Sequence, residues 1–238
     1  MSMVINPGWF TPSGDPDPGA DPYWDYVVLL MGFNGADAST AIADESSYGR
    51  SVSVFGDAQI DTADKKFGTG SLLVTNAFDY VQVPDSPDFI MGSSFTMECW
   101  FEALNGQNHY IMGQGGSGGF AWNVMMIETN SLRWGQRDFA EVYETTSAWP
   151  VVNDTWYHLV IERSGSIARL YRDGAMVKKV TIGSGGITDA AEPFRVGLGW
   201  PGAGMWGRLD EVRVTNGIAR YDNDAGYTVP TTYFPRHG

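Results

Sequence analysis

The chain contains few cysteines and few basic residues. Cys99 is the one cysteine among 238 residues, so no disulfide can form within the chain. Fifteen Lys and Arg stand against 28 Asp and Glu, which gives a formal net charge of −13. Proteins that bind phosphate backbones or anionic lipid surfaces cluster their cations, so this balance argues against nucleic acid and charged membranes as partners.

The chain also lacks any long apolar run. The run Val27–Met31 is much shorter than the roughly 20 residues that a membrane-spanning helix needs, so we expect no membrane insertion. Met1–Phe10 has no basic segment followed by an apolar one, which predicts synthesis in a cytoplasm without a secretion signal.

Helical periodicity is missing as well, and short β-type segments take its place. In Phe95–Phe101 apolar and other residues alternate, which puts Phe95, Met97, Cys99 and Phe101 on one face. Asp173-Gly174 is a strong turn signal between two such segments. About a dozen strands with polar turns predict an all-β chain folded as an antiparallel β-sandwich. The predicted strands include Val27–Met31, Ser51–Phe55, Ser71–Thr75, Tyr80–Val83, Tyr110–Met112, Ala121–Ile127, Ser131–Gln136, Trp156–Arg163, Ala168–Arg172, Met176–Thr181, Phe194–Gly197 and Gly207–Val214.

Residues 1–22 differ from the rest of the chain. Thr11–Pro22 is rich in Pro, Gly and Asp, which favours an extended segment over a helix. We therefore predict an N-terminal arm over residues 1–22 and one domain over residues 23–238. The arm is either a loose terminus or an extension that docks on a neighbouring subunit.

Aromatic side chains in glycine-rich loops are the candidate binding residues. Trp200 and Trp206 lie in the loop Gly197–Trp206, and Tyr110 precedes a second flexible loop, Gly113–Gly119. Flat rings in such loops can bind a sugar or an apolar pocket of a partner. The alternative is that both indoles fold over the open end of the sandwich.

Catalytic residues are harder to assemble from this sequence. Glu98 and Glu102 share a strand face, but four residues along a strand separate their Cα atoms by roughly 13 Å. Trp156 and His158 share another face, where Trp100 is expected nearby, but no nucleophile and orienting acid accompany the histidine. Alternation also predicts that Glu211 and Arg213 share a face and form an ion pair. These patterns disfavour an enzyme.

Several motifs together resemble a known family. They are Asp21–Gly35, Lys66–Ser71, Asp79–Pro84, Phe95–Phe101 with Trp100, Trp156–His158, Leu170–Gly174, Gly207–Val214 and Gly217–Tyr221. Their order and spacing, over about residues 21–235, resemble the laminin-G-like, concanavalin A-like jelly-roll domains of bacteriophage structural proteins.

This resemblance implies a non-enzymatic virion protein, a capsid or tail decoration subunit located in the virion. It would contact other virion proteins through the arm, form a homo-oligomer and display a face for glycans. A carbohydrate-binding adhesion module is the alternative, and a glycan hydrolase is a disfavoured second one. No cofactor is required, but laminin-G-like domains often hold calcium at the rim, for which Asp44 and Asp210 are the candidates and Asp37 a weaker one.

Overall fold

A computed structural model describes residues 18–106, 108–115, 122–128, 131–136, 142–143, 149–183, 185–187, 189–200 and 203–238. Over these residues the chain is built almost entirely of strands, with two single-turn 3-10 helices at Trp24–Tyr26 and Pro87–Phe89. None of the described helices is long and apolar enough to cross a membrane.

The described strands extend the predicted set. They are β1 (Val27–Met31), β2 (Ser53–Phe55), β3 (Gln59–Asp61), β4 (Ser71–Val74), β5 (Tyr80–Val83), β6 (Ser94–Ala103), β7 (His109–Gly115), β8 (Trp122–Glu128), β9 (Ser131–Gln136), β10 (Val142–Tyr143), β11 (Trp156–Ser164), β12 (Ile167–Arg172), β13 (Ala175–Thr181), β14 (Phe194–Val196), β15 (Leu198–Trp200), β16 (Ala203–Gly204) and β17 (Gly207–Asn216). The short strands β3, β10, β15 and β16 were not predicted.

Two antiparallel sheets form the expected sandwich, so the predicted fold class is confirmed. The first sheet runs β13-β12-β11-β6-β17-β4-β3, and β1 also pairs with β17. The second sheet runs β10-β9-β8-β7-β14-β5-β2, and β15 with β16 forms a separate two-stranded ribbon. The predicted hairpins β8–β9, β11–β12 and β12–β13 are all present.

Strand β6 shows how alternation builds the core. Phe95, Met97, Cys99 and Phe101 all belong to the main hydrophobic cluster between the sheets, as predicted. Burial, and to a smaller extent Glu98, raises the pKa of the Cys99 thiol well above its ordinary value. Cys99 therefore acts as a small apolar residue of the core.

The chain's own C-terminal segment, residues 217–238, lies on the outer face of the first sheet and contacts β6, β11 and β12 there. Glu98 lies on this face and is fully buried. Its carboxylate accepts hydrogen bonds from Arg213 Nε at 2.9 Å and from Tyr221 OH at 2.6 Å. Arg213 and Arg220 both also bind Asp21, at 3.1 and 2.8 Å.

Most of the predicted arm lies outside the described residues, but its last part is anchored. The backbone amide of Asp21 donates to the carbonyl of His237 at 2.8 Å, and only 3% of the residue is exposed. Burial raises the pKa of Asp21, but Arg220 and Arg213 outweigh it and hold the pKa below its ordinary value. Asp21 thus closes the sandwich together with the C-terminal segment.

The predicted ion pair between Glu211 and Arg213 is wrong. The register of β17 against β6 shifts between Asp210 and Arg213, and Glu211 has a φ of 50°. Such a bulge inserts one residue and resets the alternation of side chains. Glu211 consequently binds Arg236, with 2.6 Å between Oε1 and Nη2, while Arg213 turns to Glu98.

We predict that Asp21→Asn destabilises the fold by about 3 kcal/mol, because it leaves two buried guanidinium groups without their shared carboxylate. Chemical denaturation of the purified variant measures this loss. Asp25→Asn is the matched control, since Asp25 is exposed and only four residues away. Equal stability of the two variants would show that the Asp21 ion pairs contribute nothing.

Stability should also fall as the pH drops below about 6.5. Burial, opposed by Glu98, lowers the pKa of His158 to about 4, and burial lowers that of His109 to about 4 as well. The unfolded chain therefore takes up these protons at higher pH than the folded chain. Each buried histidine contributes up to about 3 kcal/mol that is present above pH 6.5 and lost on the way to pH 4.

Denaturation curves between pH 6.5 and 5 test this when each variant is compared with the parent chain, because the carboxylates whose pKa burial raises are common to both proteins. We expect His158→Gln to make the slope of unfolding free energy against pH less positive than that of the parent chain, because it removes a group that the unfolded chain protonates first. An unchanged slope in His158→Gln would contradict the assignment.

Candidate functional site

The candidate site lies at one end of the sandwich, which the strand registers define. Ala103, at the end of β6, pairs with Gly207, at the start of β17, and Val74 of β4 pairs with the same glycine. We call this the rim end. Val27 pairs with Thr215 near the other end of β17, so the adjacent Tyr26 lies at the opposite end of the molecule.

A stacked pair of rings marks the outer face of the second sheet near the rim end. Phe55 of β2 is the register partner of Tyr80 of β5, and their ring centroids are 4.6 Å apart with planes 4° from parallel. Their neighbours Val54 and Val81 pack into the core. Side chains alternate along strands, so both rings point outward, and 36% of Phe55 is exposed.

A polar row runs beside these rings on the same outer face. Ser53 pairs with Gln82, Gln82 with Arg195, and Arg195 with Gly113, across four neighbouring strands. Arg195 donates to the carbonyl of Gly115 at 2.7 Å and forms an ion pair with Glu192 at 3.0 Å. The row offers hydroxyl and amide groups with a guanidinium whose charge is already paired.

Phe78 is displayed on a loop that a buried carboxylate holds in place. Asp79 is fully buried, and its two oxygens accept hydrogen bonds from Asp57 N at 2.8 Å and Thr75 N at 3.1 Å. Phe78 N donates to Asn76 Oδ1 at 2.8 Å. With the backbone fixed in this way, Phe78 is 71% exposed to solvent.

The ribbon of β15 and β16 packs against Tyr110. A Cβ on Gly199 would lie 2.9 Å from Cδ1 of the Tyr110 ring, so only glycine lets β15 cross this ring. A Cβ on Gly204 would lie 2.6 Å from Cα of Ala77, the residue before Phe78. The ribbon therefore joins the Tyr110 side of the face to the Phe78 loop.

Trp206 completes the rim end. This residue is partly buried. Its backbone amide donates a hydrogen bond to Nδ1 of His109 at 3.3 Å, and its carbonyl accepts one from Leu104 N at 3.0 Å. The backbone of Trp200 lies in β15, next to Gly199, while its side chain is outside what the structure describes.

The predicted aromatic residues are thus brought to one end of the molecule. We call Phe55, Phe78, Tyr80, Tyr110 and Trp206 the aromatic face. Tyr110 and Trp206 were predicted as binding residues, while the other three were missed. The Phe55–Tyr80 pair depends on strand register, and the Asn76–Asp79 turn was the one local signal that could have identified Phe78.

The two carboxylates considered for catalysis are engaged in ion pairs. Glu98 binds Arg213, and Glu102 Oε2 lies 2.8 Å from Arg208 Nη1. Burial raises the pKa of Glu102, and Arg208 opposes this effect. His158 pairs with Trp100 across the strands as predicted, and its Nδ1 contacts Tyr227 OH at 2.5 Å. These contacts place Glu98 and His158 under the C-terminal segment, while Glu102 is held by Arg208 of β17.

The calcium candidates are occupied by backbone amides. Asp44 accepts from Leu30 N and Arg50 N, at 3.1 and 2.9 Å. Asp210 accepts from Phe67 N at 2.9 Å, and Asp37 from Thr62 N at 3.1 Å. Within the described ranges no three His, Cys, Asp or Glu side chains are grouped to hold a metal ion. Calcium binding stays a prediction.

An open depression of about 290 Å³ lies elsewhere, lined by residues 63–68. Lys66 Nζ sits 3.9 Å from the centroid of the Trp100 ring. Burial lowers the pKa of Lys66, while Asp173 and Asp210 oppose this. The lysine therefore compensates the negative charge of Asp173 and Asp210, which is a structural role.

Solved structures share this architecture at low sequence identity. Domain 4 of AbnA, a GH43 extracellular arabinanase from Geobacillus stearothermophilus solved with arabinotriose, superposes with a TM-score of 0.61 at 16% identity, covering 81% of this chain and 93% of that one. The binding domain of botulinum neurotoxin serotype D gives 0.62 at 12% identity, covering 82% and 49%. The binding domain of Paraclostridial Mosquitocidal Protein 1 gives 0.61 at 18% identity, covering 83% and 50%.

This chain therefore spans about half of each toxin binding domain, and these likenesses show the fold alone. A search of curated proteins gives no significant match. The family model Laminin_G_3, described as concanavalin A-like lectin/glucanases superfamily, matches residues 75–220, which is more than half of the chain. The chain belongs to the Laminin_G_3 family of the concanavalin A-like lectin/glucanases superfamily.

Proposed function

We propose that this chain is a non-enzymatic glycan-binding module and that the aromatic face is its contact surface. The observation that carries the proposal is the Phe55–Tyr80 stack lying beside the polar row of Ser53 and Gln82 on one open face. Apolar sugar faces pack on aromatic rings, while hydroxyl and amide groups fix orientation, so the two rows supply both kinds of contact.

The structural neighbours support this proposal without establishing it. The arabinanase domain was solved with arabinotriose, and the toxin structures are named as binding domains. Their fold is the one that this chain adopts over most of its length. Fold likeness does not transfer a ligand, so the residues of the aromatic face carry the proposal.

The charges near the face favour a neutral glycan. Arg195 is held by Glu192 and by the carbonyl of Gly115, so its charge is already compensated. The chain as a whole carries a net charge of −13, which repels polyanionic glycans at a distance. A neutral ligand would also bind with little dependence on salt.

We predict that Phe78→Ala and Phe55→Ala each weaken binding of a neutral oligosaccharide about tenfold or more, because each removes a stacking surface. A glycan array followed by calorimetry on the best neutral ligand measures the effect. Trp200→Ala and Trp206→Ala belong to the same series. Affinity should change less than twofold between 50 and 500 mM salt, as expected without charge pairing.

Tyr26→Ala is the matched control for this series. Tyr26 is a tyrosine with 45% exposure at the opposite end of the sandwich, so its loss should leave binding intact. Binding that survives in Phe78→Ala and Phe55→Ala, or that fails equally in Tyr26→Ala, would contradict the proposed location. An array without any bound glycan would contradict the function itself.

The non-enzymatic part of the proposal rests on the ion pairs of Glu98 and Glu102. A retaining or inverting glycosidase needs two carboxyl groups that reach the same glycosidic bond. Glu98 is fully buried against Arg213, and Glu102 is bound by Arg208. Release of reducing sugar from any glycan bound by the array would overturn this part.

We further propose that the module is deployed on a virion, as a capsid or tail decoration subunit. The support is the resemblance of the sequence blocks around Asp21 and Gly217–Tyr221 to phage structural proteins. In the fold these two blocks meet, since Asp21 binds Arg220 at 2.8 Å. A homo-oligomer and an attachment through the N-terminal residues are part of this second proposal.

Cosedimentation with particles stripped of the protein tests the virion role. We predict that the full chain rebinds and that a copy lacking residues 1–17 does not. The deletion stops before Asp21, so the ion pairs with Arg213 and Arg220 stay and misfolding does not confound the result. Rebinding of both chains would remove the arm as anchor, and rebinding of neither would remove the virion role.

A further inference from the structure

His109 is a buried histidine at the rim end that the glycan contacts themselves do not use. It is the first residue of β7, directly before Tyr110 of the aromatic face, and it is fully buried. Its ring centroid lies 5.0 Å from that of Phe101, and its register partner is Ile127. An imidazole in this apolar setting needs partners for both nitrogens.

Both partners are backbone groups, and together they fix the protonation of the ring. Nε2 lies 3.2 Å from the carbonyl oxygen of Asn105, which can only accept, so Nε2 carries the hydrogen. Nδ1 lies 3.3 Å from the amide nitrogen of Trp206, which can only donate, so Nδ1 is unprotonated. The geometry is compatible with one species, the neutral Nε2–H tautomer.

These two hydrogen bonds join two segments at the rim end. Asn105 belongs to the loop between β6 and β7, and Trp206 directly precedes β17. The amide of Leu104 donates to the carbonyl of Trp206 at 3.0 Å, so the same loop grips Trp206 on its other side. His109 thereby sets the position of Trp206 relative to Tyr110.

We propose that neutral His109 is the positioning residue of the aromatic face, and that its protonation releases Trp206 and weakens glycan binding. This inference rests on the proposed function. A proton on Nδ1 would set two N–H groups against each other, and the hydrogen bond to Trp206 would be lost.

The surroundings of His109 place this transition at acid pH. Burial lowers the pKa of His109 to about 4, and the hydrogen bond to Asn105 opposes the shift. Phe101, whose ring lies beside it, and its register partner Ile127 carry no charge, and no charged group of the described residues contributes to the shift. The protonation state of the His109 ring therefore follows the pH of the solution, without control by a neighbouring charge.

Paired substitutions test the positioning role with the neutral oligosaccharide as probe. His109→Leu removes both hydrogen bonds, and we expect about a tenfold loss of affinity because Trp206 N and Asn105 O lose their partner. His109→Asn can place its Oδ1 near the position of Nδ1 and accept from Trp206 N, so it should restore most of the affinity. Equal affinity of His109→Leu and the wild type overturns the inference.

A pH profile adds a readout that a purely structural role would not move. Wild-type affinity should stay constant from pH 7 to about 5.5 and fall about twofold at pH 4, where half of the rings carry a proton. His109→Asn should lack this step, with circular dichroism confirming the fold at each pH. Identical profiles in both proteins, or an Nδ1–H or charged ring in ¹⁵N spectra at pH 6, overturn the inference.

The outcomes separate this inference from the function on which it rests. If the wild type binds no glycan, both fall together. If Phe78→Ala abolishes binding while His109→Leu and the wild type bind equally at every pH, the glycan site stands and the role of His109 falls.

Discussion

The buried carboxylate of Glu98 is the constraint around which the first sheet is closed. A charge without solvent is tolerated only when its partners come to it, since breaking a buried pair costs several kcal/mol. Burial raises the pKa of Glu98, but Arg213 and Arg220 outweigh it and keep the pKa below its ordinary value. Arg213 comes from β17, and Arg220 with Tyr221 from the C-terminal segment. Glu98 thus dictates where the last part of the chain must lie.

As a result, the outer faces of the two sheets differ in their exposure to solvent. On the outer face of the first sheet, Glu98 and His158 are buried under residues 217–238. Their polar atoms contact Tyr221 and Tyr227 and so hold the C-terminal segment in place. The outer face of the second sheet keeps Phe55 and Tyr80 open near the rim end. Glu98 and His158 stabilise the fold, whereas Phe55 and Tyr80 lie on the outer face of the second sheet, where we propose that the glycan binds.

Local patterns predicted what depends on local geometry. The alternation in Phe95–Phe101 identified the core face of β6, and the Asp173-Gly174 signal found the turn between β12 and β13, because both follow from the backbone of a few residues. What the local patterns did not show depends on contacts between distant residues. The bulge at Glu211 reversed an expected ion pair, and Asp21 binds Arg220 across 199 positions of sequence although composition assigned it to the arm. The Phe55–Tyr80 stack could not be found because it needs the register of two short strands.

A single exposed ring would mean little, since every soluble protein carries some apolar surface. Phe78 differs because the loop that displays it is held by the buried Asp79, which ties Asp57 to Thr75. A loop ordered for stability alone would gain more folding stability by burying its large apolar side chain. In this loop, Phe78 is instead 71% exposed. Rigid presentation reduces the entropy that a binding surface loses when it meets its ligand. The aromatic face therefore has the properties of a preorganised contact surface: its Phe78 loop is fixed, Phe55 and Tyr80 are stacked, and Tyr110 packs against Gly199.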